Sequence, residues 1–147
     1  FMFSINLEYP SFQEEVAVVF NTTSNQNQQL NPIFSGLEII EIQQLIRKIP
    51  VTNNVVEYAV RLVGKTRPKS AEATEMVKNY LDWGAGPRAS QNLVLAAKAH
   101  AAVRGNYSPD IEDVKAVAIP ILSHRIVKNY KAEAEGITVS EIIDSLL

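Results

Sequence analysis

The sequence predicts an all-α helical bundle with one orphan strand at its N-terminal end. Three observations carry that reading. Apolar residues recur at helical spacing through most of the chain after Ser11. Capping boxes of the form Ser/Thr-x-x-Glu and stops made of Gly or Pro punctuate those runs. Only the first eight residues, FMFSINLE, alternate with the period of a half-buried strand.

In that strand Phe1, Phe3, Ile5 and Leu7 point one way while Ser4, Asn6 and Glu8 point the other, until Tyr9-Pro10 ends it. No second convincing strand is read further along. A lone strand cannot satisfy its own backbone, and even a two-strand hairpin is marginal in water. The segment is therefore expected to be disordered, to pack irregularly on the helices, or to pair with a neighbouring molecule's edge.

Ser11 with Glu14 opens the first helix, whose apolar face is Val16, Val19 and Phe20. Residues 21–32, NTTSNQNQQLNP, are amide-rich and uncharged and read as a loop. Ser35 with Glu38 opens a second helix, carrying Leu37, Ile40, Leu45, Ile46 and Ile49 to Pro50. Thr52 can cap a third, in which Val55, Val56, Ala59, Val60, Leu62 and Val63 recur before Arg67-Pro68 closes it. Ser70 is read as starting a fourth, with Met76, Val77, Tyr80 and Leu81, stopped at Gly84.

The fifth helix runs from Pro87 to about Arg104 and ends at Gly105. Its middle, LVLAAKAHAAV, is apolar on nearly every side and built of small residues, which predicts a central helix. Ser108-Pro109 starts the next, through Val114, Val117 and Ala118, with a bend expected at Pro120. Thr138 with Glu141 opens a short last helix ending in Leu146 and Leu147.

Composition bounds the chemistry. The 147 residues are 46% apolar and 20% charged, an ordinary globular composition for a chain about one domain long. The absence of cysteine excludes disulfides and thiolate metal sites and makes the reducing cytoplasm the default compartment. Fourteen Lys+Arg against 16 Asp+Glu, a net charge of −2, argue against bulk nucleic-acid or anionic-membrane binding. The apolar runs are far short of the roughly 20 residues that membrane insertion needs, and no signal peptide is evident.

No GxxxxGK loop followed by Ser or Thr and no GxGxxG occurs. His100 and His124 lack HExxH-like company, so no metal site is expected, and His100 reads as a hydrogen-bonded packing histidine. Trp83, just before a glycine break, reads as a buried anchor rather than a base-stacking platform. Two basic stretches, Lys65 to Lys69 and His124-Arg125 with Lys128 and Lys131, are either solvated helix ends or a docking surface.

One segment resists a purely structural account: Gly84-Ala85-Gly86-Pro87-Arg88-Ala89-Ser90. Two glycines free the backbone, proline sets a first helical turn, and Arg88 follows at the positive end of the helix dipole. That end disfavours a cation by about a few tenths to 1 kcal/mol. Free N–H groups plus a guanidinium make an anion site, with phosphate the usual anion. The other reading is a tolerated surface arginine or one paired with a nearby carboxylate. The residues alone leave both open.

The same segment carries a family resemblance. GAGPRAS resembles the GASPRA-type signature in the lid of MoxR-family AAA+ ATPases. FMFSINLEYPSFQEE is similar to the strand and helix that follow the family's arginine-finger region, and IIEIQQLIRKIPVTNNVVEYAVRLVGKTR to its first lid helices. NYSPDIEDVKAVAIPILSHRI is similar to the late stretch that ends in His-Arg-Ile, and the segments keep the family's order.

The resemblance implies an AAA+ lid-type bundle over residues 10–147, with residues 1–9 a remnant strand of the nucleotide-binding core. Arg88 would be the second sensor arginine, reaching the nucleotide's terminal phosphates, with Gly86, Pro87 and Ala89 shaping the wall beside it. The family usually has serine where this chain has Gly86. Walker A, Walker B, the first sensor and the arginine finger would lie before Phe1. The implied activity is ATP hydrolysis, with ATP and Mg2+ bound by the full-length protein and none by this chain alone. The implied partners are the protein's own core, neighbouring subunits in a hexameric ring, and a client protein remodelled in chaperone-like fashion. A stand-alone helical protein-interaction module, docking through HRIVKNYK without nucleotide chemistry, is the competing reading, and a helical nucleic-acid binder a distant third.

Overall fold

Local capping chemistry sets where most helices begin in the computed structural model, which describes residues 1–24 and 30–147. Helix α1 (Phe12–Thr23) starts on the reciprocal box in which the Ser11 N–H donates to Glu14 Oε2 at 2.8 Å and the Glu14 N–H donates to Ser11 Oγ. It continues through Asn21–Thr23, where a loop was expected, and residues 25–29 of that expected loop lie outside the described residues. Helix α2 (Gly36–Lys48) starts on the same box between Ser35 and Glu38. Thr52 precedes α3 (Asn53–Lys65), but its side chain makes no capping bond.

The fourth helix differs from expectation at both ends. It is short, α4 (Glu75–Tyr80), and its cap is Thr74, whose hydroxyl accepts from the Val77 N–H, whereas Ser70 lies in the preceding turn. Leu81–Trp83 leaves the helix as strand β1, antiparallel to β2 (Val127–Lys128). These strands are three and two residues long, too short to display an alternation, so the expectation of no strand beyond the N-terminal segment is corrected here.

Helix α5 (Pro87–Val103) ends in a Schellman motif: Gly105 takes φ +80°, and the N–H groups of Asn106 and Gly105 donate to Ala101 and Ala102. Helix α6 (Ile111–Ala116) is capped by Asp110 with Asp113, two residues beyond the cap expected at Ser108. It breaks at Val117 before α7 (Ala118–Leu122). Pro120 explains the position, since its missing N–H and its ring both act on the carbonyl of Ala116 four residues earlier. Helix α8 (Tyr130–Ala134), unforeseen within the basic stretch, precedes the Thr138-capped α9 (Val139–Asp144).

α5 is the central helix, packed against α2, α3, α6 and α7. Its Ala89, Leu93, Ala96, Ala97 and Ala101 are buried, and the small alanines let the neighbouring backbones approach. Leu62, Val63, Val114, Ile121, Leu122, Ile142 and Ile143 complete a core in which each large aliphatic side chain contributes about 1.5–3 kcal/mol. Neither α1 nor α2 buries a residue fully: the apolar face read for α1 is exposed, and that of α2 is exposed at Leu37, Ile40 and Leu45 and half-buried at Ile46 and Ile49.

The N-terminal segment forms no ladder. The Ser4 N–H donates to Pro120 O at 2.8 Å and Met2 packs on the core, so it lies irregularly against α7. That is one of the three outcomes expected of a strand without its sheet.

Candidate functional site

The start of α5 is built from the end of α3. Thr66, fully buried, donates its hydroxyl to Val63 O at 2.7 Å and accepts the Ala85 N–H at 2.9 Å. Arg67 Nε donates to Ala85 O at 3.0 Å, so both backbone polar groups of Ala85 are satisfied from one helix end. The approach is close enough that a Cβ on Gly84 would stand 2.4 Å from Thr66 O. Only glycine fits there, and the loop is thereby strapped in place.

Gly86 is the N-cap, extended at φ −88° and ψ 177°, and no side chain caps the helix. Pro87 occupies the first turn, where its missing N–H costs nothing. Arg88 projects into solvent from that turn, and no carboxylate among the described residues pairs with it. The arginine-with-carboxylate alternative is thus absent from the structure. Ala89 is fully buried and packs beneath the turn, so it supports this wall from behind and cannot touch a ligand. A Cβ on Gly86 would meet nothing within 4 Å.

Beside the strap, Arg67, Lys69, Asp82, Trp83 and Pro87 line an open cleft of about 440 Å³. Trp83 is 72% exposed there, contrary to the buried anchor expected from its sequence setting. Strand β1, paired with β2, carries it to the surface.

Arg125, which the sequence offered only as part of a basic stretch, belongs to the same neighbourhood. Its Nη1 donates to Met2 O at 3.1 Å and to Ile121 O, and its Nη2 donates to Phe1 O. Burial lowers its pKa from the usual guanidinium value, and the like charge of Arg88 lowers it further. No sequence signal marks this pairing, because α5 and α7 meet only in the fold.

The other polar candidates are structural. His100 Nδ1 lies 2.7 Å from Asp113 Oδ1, making it the hydrogen-bonded packing histidine expected. Lys128 pairs with Glu133 at 3.2 Å and Lys131 with Glu135 at 4.0 Å, so carboxylates in the unforeseen α8 and at its C-cap neutralise part of the second basic stretch. Among the described residues no group of three or more His, Asp or Glu could hold a metal ion, and no helix is long and apolar enough to cross a membrane.

Comparison with known proteins agrees with this layout. The family profile described as the AAA lid domain matches residues 73–146, which contain Ala85, Arg88 and Arg125 but not Thr66 and Arg67 on the other side of the strap. The whole chain is 32% identical to chaperone MoxR1 of Mycobacterium tuberculosis, covering 39% of that protein. It is 27% identical to the uncharacterized protein YeaC of Bacillus subtilis, covering 43% of it. A solved structure from Cytophaga hutchinsonii, described as a candidate ATPase, superposes with a TM-score of 0.86 at 36% identity, over 99% of this chain and 44% of that one. The chain thus spans about two fifths of the length of the curated relatives it matches. It belongs to the AAA lid domain family and is a lid of the MoxR type of AAA+ protein.

Proposed function

We propose that this chain is the lid of an ATP-hydrolysing AAA+ machine, and that Arg88 is the arginine through which the lid senses the nucleotide's terminal phosphates. The observation that carries the reading is an exposed guanidinium with no carboxylate partner among the described residues, fixed at an uncapped helix start by the Thr66–Ala85 strap. An arginine there is electrostatically misplaced unless an anion visits it. Gly86 and Pro87 shape the wall beside the phosphates, and Ala89 holds that wall on the core. Catalysis by this side chain is electrostatic: it helps stabilise charge on the phosphoryl group as ATP draws lid onto core.

The residues around Arg88 fit a phosphate and not a divalent cation, so Mg2+ is held with ATP by the nucleotide-binding core. That core and neighbouring subunits, in a hexameric ring in the cytoplasm, are the partners. Nucleotide-driven closure then serves chaperone-like remodelling or maturation of a client complex. This chain by itself has no turnover.

The test is Arg88→Ala in the full-length protein. Hydrolysis should fall by roughly 10²–10³-fold, the scale of losing one positioned transition-state contact. Unchanged ATP hydrolysis together with unchanged nucleotide-dependent assembly removes the role.

One observation favours a stand-alone interaction module instead: the apolar residues that α1 and α2 present to solvent, such as Phe20 and Leu37. Sequence upstream of Phe1 separates the two readings. A phosphate loop about one domain length earlier favours the ATPase.

A further inference from the structure

Charge is divided unevenly along the chain. Residues 1–46 hold five glutamates and neither Lys nor Arg, whereas all 14 Lys and Arg follow from Arg47 onward, against 11 acidic residues. The acidic part includes α1, which buries none of its residues. On α1, Phe12, Val16, Val19 and Phe20 recur at i, i+4, i+7 and i+8, an apolar stripe that Glu15 borders. All four apolar residues are exposed.

A seat of matching length and opposite charge lies along α3. Three adjoining cavities of about 600, 450 and 440 Å³ run from Arg47 to Trp83; the first two share Val56 and Val60, and the last two share Arg67. Val56, Val60, Val94 and Leu95 supply an apolar floor, and Trp83 stands at the far end. Five cations, Arg47, Arg61, Arg67, Lys69 and Lys98, face three carboxylates, Glu57, Glu72 and Asp82. None of the five cations forms an ion pair among the described residues. Helix α3 has 13 residues and α1 has 12, so each is about 18–20 Å long. No residue of α1 lines any of the three cavities, so α1 does not occupy the groove of its own chain.

We propose that the α3 groove is a docking site for α1 of a second copy of this chain. The stripe lies on the apolar floor as amphipathic helices lie in grooves. The acidic flank of α1 meets the cation excess, which steers the encounter and selects this surface over others. Because the two surfaces differ, the contact is head-to-tail, the kind from which closed rings are built. It stands on the groove and the charge alone and does not depend on Arg88 sensing a phosphate.

The experiment is disulfide cross-linking between two variants of the full-length protein, Val16→Cys and Val60→Cys. Both positions are exposed and lie within a turn of the middle of their helices, so they meet whichever way α1 runs along α3. This chain has no cysteine of its own to compete. Mixed under mild oxidation, the two variants give a dimer band on a non-reducing gel that requires both of them. Arg61→Glu placed in the Val60→Cys partner slows its formation several-fold. Raising salt from about 0.1 to 0.5 M does the same by screening, and the salt series serves if Arg61→Glu does not fold.

Val16→Cys and Val60→Cys combined in one chain separate the alternatives. If that double variant closes a disulfide only within itself and the mixture gives no dimer, α1 fills its own groove and the proposal is overturned. If neither cross-links, another part of the protein covers the groove, which overturns it equally. A mixed dimer whose rate ignores both Arg61→Glu and salt removes the charge complementarity that selects α1, and the proposal falls with it. None of these results bears on Arg88, which hydrolysis by Arg88→Ala tests separately.

Discussion

Gly84 and Gly86 sit two residues apart and do different work. A methyl on Gly84 would meet Thr66 O at 2.4 Å and Arg67 Cα at 2.6 Å, both backbone atoms that cannot yield without opening the strap. Gly84→Ala should therefore cost about 1–3 kcal/mol, as overpacking does. At Gly86 a side chain meets open space, and the backbone is already in N-cap geometry. Gly86→Ser, the residue usual in the resembling family, should gain a few tenths of a kcal/mol by capping α5. Thermal melts of the two variants check the pair, and a Gly84→Ala as stable as wild type contradicts the strap. The helix start at Gly86, Pro87 and Arg88 was legible because cap, proline and misplaced cation are adjacent in sequence. Thr66 was not legible, since its partner Ala85 lies 19 residues further on and no local pattern links them.

Between elements, Asp113 fastens α6 to α5. Its side chain is fully buried, yet it accepts from the Asp110 N–H at 2.9 Å, meets His100 at 2.7 Å and is approached by Arg104 at 3.4 Å. Burial alone would raise its pKa, but the hydrogen bonds from Asp110 and His100 outweigh burial and hold it below the ordinary carboxylate value. The sign follows. Above the unfolded value of about 3.9 the stabilisation is fully present, and it is lost as pH falls through the lower folded value. Asp113→Ala should cost about 2–3 kcal/mol near neutral pH. Urea melts from pH 7 downward should show Asp113→Asn losing less stability into acid than wild type, and parallel pH profiles would contradict the assignment. Element boundaries were legible wherever chemistry is local, as at Ser11, Ser35, Gly105 and Thr138. The β1–β2 pair and α8 were not, because such short elements exist only through the neighbours that complete them.

At the scale of the molecule, the core gathers on α3, α5, α6, α7 and α9 and leaves the apolar face of α1 and much of that of α2 uncovered. On the proposed reading those faces meet the rest of the ATPase, and the phosphate site is likewise only half built. Micromolar affinity needs about −8.2 kcal/mol, whereas one charged hydrogen bond supplies about 1.5–3 kcal/mol. Calorimetry on this chain alone should thus show no micromolar ATP binding, and a micromolar Kd contradicts the division of the site between lid and core. The sequence by itself determined the helical class, most helix starts, the central place of the alanine-rich α5 and the oddity of Arg88. Those properties rest on periodicity, caps and dipoles, which act over a few residues. Tertiary structure alone decided that Thr66 straps Ala85, that Trp83 is exposed, and that Arg125 grips the leading segment. Each of these depends on the meeting of groups far apart in the chain, and the packing of helices around α5 is what brings them together.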